Sequence, residues 1–312
     1  MSHLNHIVMD FKNIFRETVF LGEGTQYVEK VEASSRRLKD FFEKAFSEFG
    51  IPKFCIVLGT SGPKGLLNLL DSKKVVEYSQ LGFPISKAKG HAPDRQGGPE
   101  AKAHYGLLAG VPVLICVGRI HYYECRDMDL VTLMVRSICL LGIKDFIITN
   151  ASGALFREGY NQKGWTSNVG HIIAVSGFIN EMGDSPLIGE EDYFHTFTDP
   201  NKVLDINWMK KTHVYEYRMT YIAVTGRNFE TRMEGEKFSL YGDLMGMSSV
   251  PELLAIAQQR GKVLLLSLVT NLVDSDHCCE QEVTHEENLN VVADNDEKFS
   301  NLIFEFVSFF ED

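Results

Sequence analysis

Short runs of almost wholly apolar residues alternate along this chain with stretches whose apolar positions recur every three or four residues. The segment Tyr27 to Phe49 is the clearest of the second kind. Val28, Val31, Leu38, Phe41, Phe42, Ala45 and Phe46 fall on one face of a 3.6-residue period, and Gly50 and Pro52 stop it, which predicts an amphipathic helix. Apolar runs predict strands at Phe54–Leu58, Val113–Val117, Phe146–Thr149, His171–Val175, Tyr221–Val224 and Val263–Val269. Between them, helical spacing marks Asp129–Leu141, Pro251–Gln259 and Glu286–Phe310. A strand that is apolar on both faces must be covered on both, so the alternation predicts an α/β domain with its sheet enclosed by helices. No repeat, low-complexity tract or Pro/Gly/Ser-rich linker divides the chain. Residues 1–26, which close on the turn Gly22-Glu23-Gly24, read as an N-terminal extension, and residues 27–312 as one domain.

The residues just after each apolar run narrow the chemistry. The sequences are Gly59-Thr60-Ser61-Gly62, Gly118-Arg119-Ile120-His121, Asn150-Ala151-Ser152-Gly153, Gly226-Arg227-Asn228-Phe229-Glu230 and Thr270-Asn271. Glycines, small hydroxyls and a few long polar groups thus gather at the carboxyl ends of several strands, the edge where open α/β sheets bind ligands. Five such segments make a ligand site at that edge the expectation.

Charge and composition exclude some partners. A net charge of −11 repels phosphate backbones and anionic headgroups, which argues against nucleic acid and membrane surfaces as partners. No apolar stretch reaches the roughly 18 residues of a membrane helix, and the N-terminus lacks a basic segment followed by an apolar core, so neither a span nor a signal peptide is expected. Six cysteines are too sparse for a disulfide scaffold and suit a reducing, cytoplasmic compartment.

Several familiar motifs fail on inspection. Gly59 to Gly65 (GTSGPKG) does not end in Gly-Lys-Ser/Thr, and its glycine spacing is not that of a dinucleotide fold, although its backbone could still present N–H groups to an anion. Asp274, Asp276, His277, Cys278 and Cys279 have metal-ligand chemistry, but adjacent cysteines rarely share one zinc and no second pair stands at finger spacing. A polar surface loop is the expectation there, and no metal is called for. Neither Ser61 nor Ser152 sits in a G-x-S-x-G elbow.

Taken in order, the segments resemble the trimeric, low-molecular-mass purine nucleoside phosphorylases. They are GTSG (Gly59–Gly62), GHA (Gly90–Ala92), GRIHYYE (Gly118–Glu124), TNASGAL (Thr149–Leu155), FET (Phe229–Thr231), GMSSVPE (Gly246–Glu252), LVTN (Leu268–Asn271) and THEE (Thr284–Glu287). Order and approximate spacing agree from about Tyr27 to the C-terminus. The resemblance implies a single domain built on a mixed, partly barrel-like sheet flanked by helices, and a homotrimer acting in purine salvage. It implies attack of inorganic phosphate on C1′ of a purine nucleoside, releasing base and ribose 1-phosphate. Phosphate is then a co-substrate and no cofactor is needed.

The same resemblance assigns roles to individual positions. Arg119, with its planar fork of donors, His121, Ser248 and a backbone N–H near Ala151 correspond to phosphate contacts. A hydroxyl from Thr60 or Ser61 completes that set, and alignment from Gly59 favours Thr60. His91 corresponds to a second histidine near the phosphate. Tyr123 and Met247 match residues that hold the ribose, and His285 the one at the 5′-hydroxyl. Asn271 matches the residue at purine N7 and O6, Glu230 the acceptor for N1–H, and Phe229 the ring stacked on the base. Asn271 with Glu230 favours 6-oxopurines such as inosine and guanosine, because methylthioadenosine phosphorylases carry Asp and Ser at these positions.

Some positions depart from the family. Gly177 to Leu187 is shorter than its counterpart and lacks the aromatic that reaches the neighbouring subunit, a part for which Phe194 and Phe197 are candidates. Arg227 stands where Pro is usual, Cys125 replaces Gly, Ser152 and Ala154 replace other small residues, and Leu272 follows Asn271 where some members have Lys. Two alternatives therefore stay open: a methylthioadenosine phosphorylase-like enzyme, and a divergent paralogue that binds nucleosides with weak or no catalysis.

Overall fold

In a computed structural model of the chain, the described residues are 26–59, 62–86, 101–155, 168–188, 197–214, 219–273 and 285–311. They form strands β1 (Phe54–Leu58), β2 (Asp71–Glu77), β3 (Lys102–Leu108), β4 (Val111–Val117), β5 (Asp145–Leu155), β6 (Ile172–Ala174), β7 (Gly177–Glu181), β8 (Thr220–Val224), β9 (Leu244–Gly246) and β10 (Lys262–Val273). The longer helices are α1 (Gln26–Phe49), α2 (Met128–Leu140), α3 (Arg232–Ser239), α4 (Val250–Gln258), α5 (His285–Asp294) and α6 (Asp296–Ser308). The described elements belong to a single α/β domain, and their strands join into one mixed sheet, as the alternation of patterns requires.

That sheet forks. β5 runs parallel to β10 along its whole length, Asp145 opposite Lys262 and Leu155 opposite Val273. Its other edge is shared between two strands. Phe146 to Ile148 pair in parallel with Cys55 to Val57 of β1, whereas Gly153 and Ala154 pair antiparallel with Met245 and Leu244 of β9. One arm continues β1–β4–β3–β2 and the other β9–β8–β7, while β6 adds to the free edge of β10. Thr149 to Ser152 lie in the crotch of the fork, where that edge of β5 has no strand partner.

The strands that meet there are apolar because they are enclosed. Every residue of β1 is buried, as are all of β4 but Pro112 and all of β10 but Lys262, Asn271 and Leu272. Helices α1, α2 and α4 pack in sequence, α1 against α2 and α2 against α4. Helix α6 sets Phe306 against Phe54 of β1, with ring centroids 5.9 Å apart. Asp127 caps α2 by accepting from the Asp129 and Leu130 N–H groups at 3.0 and 3.1 Å, fixing where the helix starts after the Arg119–Cys125 segment.

The strand and helix boundaries differ from the pattern in several places. β5 and β10 do not stop at Thr149 and Val269 but carry on through the polar residues to Leu155 and Val273. The span Glu286–Phe310 is two helices, α5 and α6, separated at Asn295. His171–Val175 shortens to Ile172–Ala174. β2, β3, β7 and β9 gave no apolar run. β3 is joined to β4 by a two-residue turn, Ala109–Gly110, with both φ angles positive (48° and 77°), the geometry that suits a twisted hairpin. The extension expected at residues 1–26 lies, but for residue 26, outside the described residues. Among the described residues no helix is long and apolar enough to cross a membrane.

Candidate active site

The crotch of the fork opens into a cleft of about 130 Å³ that is open to solvent. Its walls are built from the segments that carry the candidate residues: Gly59 after β1, Arg119, His121 and Tyr123 after β4, and Asn150 to Gly153 within β5. Phe229 and Glu230 follow β8, Met245 to Ser248 follow β9, Thr270 and Asn271 lie within β10, and Asn288 lies on α5. Two of the expected strand ends are therefore strand interiors. β10 pairs alongside Asn150–Gly153, with one register step between Val269 and Asn271, while the other edge of β5 faces the cleft.

Arg119 is the buried cation of this cleft, 7% exposed. Its Nη1 donates to Glu252 Oε2 at 2.5 Å and to Ser249 Oγ at 3.2 Å, and its Nη2 donates to the Thr149 carbonyl. Nε has no partner among the described residues. Gly59 faces that side of the guanidinium: a Cβ there would stand 2.7 Å from Nη2 and 3.3 Å from Nε. Only a residue without a side chain leaves the Nε–Nη2 edge open to a ligand.

Ser249 joins Arg119 to β5. Its Oγ also accepts from Asn150 Nδ2 at 2.9 Å, while Asn150 Oδ1 accepts from Ser267 Oγ at 2.6 Å. Ser267 Oγ is 2.8 Å from Ser152 Oγ; having given its one hydrogen to Asn150, it accepts from Ser152. These groups are buried and mutually satisfied, which makes the floor of the cleft rigid. Ser248 sits above it, its N–H donating to Tyr221 Oη at 3.4 Å and its Oγ 3.5 Å from Ser249 Oγ.

His121 begins the helical turn Tyr122–Cys125, and Glu124 folds back onto it. Glu124 Oε1 accepts from the His121 N–H at 2.8 Å and lies 3.1 Å from Nδ1, while Oε2 accepts from Ser86 Oγ at 2.6 Å. Burial alone would push the Glu124 carboxyl up, but the hydrogen bonds from His121 and Ser86 outweigh it and hold the group down at about 2. An ionised Glu124 favours the proton on His121 Nδ1, the ring nitrogen that faces it. The His121 ring stacks on Tyr123 at 5.1 Å. Burial, with the nearby Glu124 charge, pushes the Tyr123 phenol up to about 12 against a partly offsetting Arg227, so it remains a neutral donor.

Glu230 and Asn271 stand in the β8–α3 loop and on β10. Burial raises the Glu230 carboxyl above its ordinary value, its own backbone N–H lowers it in part, and Glu234 raises it further. Asn271 follows a register irregularity in β10 between Val269 and Asn271, the kind of local step that re-aims a strand side chain. Its Oδ1 accepts from Thr270 Oγ1 at 3.3 Å, and its Nδ2 runs along Gly153, where a Cβ would come within 3.0 Å. Gly226 (φ 72°) leaves room for the Met247 thioether, which a Cβ at Gly226 would strike. Phe229 lines the mouth, 40% exposed.

The fold thus brings Arg119, His121, Tyr123, Ala151, Phe229, Glu230, Met247, Ser248 and Asn271 to one cleft. Thr60, Ser61, His91 and Phe194 lie outside the described residues, as do Asp274, Asp276, His277, Cys278 and Cys279. His285 is the first residue of α5, three positions before Asn288 in the sequence. Among the described residues no group of three or more His, Cys, Asp or Glu is placed to hold a metal. Residue types alone did not single out Thr149, Tyr221, Ser249, Glu252, Ser267 or Asn288. Glu252 did carry a signal, being a lone charge in the apolar run Val250–Ala257.

Comparison with known proteins agrees with this architecture. Residues 53–308 match the model of the Phosphorylase superfamily. Purine nucleoside phosphorylase 1 of Bacillus subtilis (strain 168) is 30% identical over 271 residues, covering 83% of this chain and 93% of the relative. The purine nucleoside phosphorylase of Bos taurus is 31% identical over 271 residues, covering 81% and 88%. In fold, the chain is similar to the crystal structure of Schistosoma mansoni purine nucleoside phosphorylase in complex with inosine, with a TM-score of 0.76, 22% identity and coverage of 90% and 96%. A family model spanning most of the chain, relatives aligned over four-fifths of it and a shared fold make the chain a member of the Phosphorylase superfamily and, within it, of the purine nucleoside phosphorylases, a family of pentosyltransferases.

Proposed function

We propose that the protein cleaves 6-oxopurine nucleosides such as inosine and guanosine by phosphorolysis, yielding free base and ribose 1-phosphate. The observation that carries this reading is one cleft holding an anion-binding wall and a base-binding wall. Arg119, His121 and Ser248 stand on the first, Glu230 and Asn271 on the second. Phosphate is held by Arg119 Nε and Nη2, Ser248 Oγ, the peptide edge at Ala151 and His121, with Thr60 or Ser61 and His91 as further contacts. A phosphate oxygen attacks C1′ as the glycosidic bond to N9 breaks, and the bonding electrons pass to the purine. Asn271 Nδ2 donates to N7 and strengthens its bond as charge builds on the base, while Glu230 accepts from N1–H. Tyr123, Met247 and His285 hold the ribose, and Phe229 covers the base.

An amide at Asn271 donates to a 6-oxo group, which supports inosine and guanosine over adenosine. The reaction calls for no cofactor. The protein acts as a homotrimer in cytoplasmic purine salvage; the family resemblance supports this, as does Phe197, fully exposed in the single chain and available to a neighbouring copy. Purified protein with inosine and phosphate is expected to release hypoxanthine, and the release is expected to cease when phosphate is withheld. Cleavage of methylthioadenosine instead would establish the other enzyme reading, and no cleavage of either by folded protein would leave a nucleoside-binding protein.

The Glu230 carboxyl also sets a pH dependence. It accepts N1–H only when ionised, and its folded-state value is raised. Activity is therefore expected to be complete well above that value and to fall, as pH is lowered, at a less acidic pH than an ordinary glutamate would give. Profiles of kcat/KM for native protein and Glu230→Gln check this, since the variant has low activity throughout and lacks that acid limb.

A further inference from the structure

We propose that Glu252 is the positioning residue of the phosphate site, fixing the Arg119 guanidinium so that its Nε–Nη2 edge meets the anion. The inference rests on the phosphate reading of Arg119 given above. Glu252 lies in the first turn of α4, 2% exposed, with Oε2 on Arg119 Nη1 at 2.5 Å and Oε1 without a partner among the described residues. A buried ion pair with one bare oxygen is a poor stability device, because desolvation of both charges offsets most of their attraction.

The hydrogen-bond inventory of Arg119 supplies another reason for it. Glu252 and Ser249 take both Nη1 hydrogens, and the Thr149 carbonyl takes one from Nη2. What remains is Nε–H and one Nη2–H, donors on two adjacent nitrogens that can meet two oxygens of a tetrahedral anion. These donors lie on the side that Gly59 keeps clear. Three acceptors on three elements, β5, the segment before α4 and α4 itself, prevent the guanidinium from turning. The same lock reaches a second donor. Ser249 Oγ accepts from Arg119 and from Asn150, so its own hydrogen is directed to Ser248 Oγ, which frees the Ser248 hydrogen for the anion.

The test is steady-state kinetics of Glu252→Ala, Glu252→Asp and Glu252→Gln, with phosphate and inosine varied in turn and folding checked by thermal melting. Losing a charge-assisted contact predicts that Glu252→Ala raises the KM for phosphate about 10-fold or more, while the KM for inosine moves less than about 2-fold. Glu252→Asp, which keeps the charge but withdraws it from Nη1, is expected to behave alike and serves if the alanine variant does not fold. Glu252→Gln, whose side-chain carbonyl accepts the same hydrogen, is expected to restore the phosphate KM to within about 3-fold of native. Folded Ala and Asp variants with an unchanged phosphate KM overturn the inference, and so does a parallel rise of both KM values. Native protein whose cleavage ignores phosphate overturns the phosphate reading as well, whereas phosphate-dependent native protein with indifferent variants overturns the role of Glu252 alone.

Discussion

Replacing Arg119 with alanine is expected to lower kcat/KM for phosphorolysis on the order of 10³-fold, because it removes a preorganised cation and two donors at once from a buried position in the cleft. It is also expected to cost about 3–5 kcal/mol of stability, because Glu252 is left buried beside it without its counter-charge. The two effects can be separated. Substituting Arg119→Met together with Glu252→Leu removes both charges and fills the space with apolar groups, so the melting temperature is expected to return close to native while activity does not. Hypoxanthine release and thermal melting on the single and double variants decide it. A double variant that regains activity along with stability would show that Arg119 supports the fold and does not hold phosphate.

The second large effect concerns the leaving group. Asn271→Ala is expected to reduce kcat about 10²–10³-fold with a much smaller change in the KM for inosine, since the proposed Nδ2 contact to N7 would strengthen as charge moves onto the base. An N7-methylated nucleoside tests the assignment directly. Its base already carries the positive charge that makes it a good leaving group and has no N7 lone pair to accept, so it is expected to be cleaved by the variant at nearly the native rate. Equal losses on both substrates would place Asn271 in general binding or in folding. Little structural damage is expected, because the Asn271 side chain is half-buried at the cleft and its hydrogen bond is to its neighbour Thr270.

Much of this protein was legible without coordinates. The apolar runs that became β1, β4, β8 and the first halves of β5 and β10 were visible because a strand enclosed on both faces has no polar positions. The amphipathic period of α1 marked its buried face, and Val31, Leu38 and Phe42 lie in the core. Arg119, His121, Glu230 and Asn271 stood out because short motifs in a fixed order are specific even where each alone is weak.

Other features were not legible, for identifiable physical reasons. β2 is the edge strand and carries charged residues because most of it faces solvent, whereas β3 is largely buried but broken in pattern by His104, Tyr105 and Gly106, so neither gave an apolar run. β5 and β10 ended too early in the sequence pattern because Asn150, Ser152, Ser267 and Thr270 interrupt or adjoin the apolar runs. In the fold these groups hydrogen-bond across the β5–β10 pair and onto α4, and are buried regardless. The same holds for Glu252, which by composition reads as a solvated charge and by position is the buried partner of Arg119.

The sequence by itself determined the α/β class, the order of the enclosed strands, the family and most residues of the cleft, because those rest on local periodicity and on motifs read along the chain. The tertiary structure alone decided that β5 is shared by two diverging arms, that the cleft lies in the resulting gap, and that Glu252, Ser249 and Thr149 hold Arg119. Pairings between residues 30 to 133 positions apart leave no periodic trace, and a polar side chain shows that it is satisfied only when its distant partner is in place.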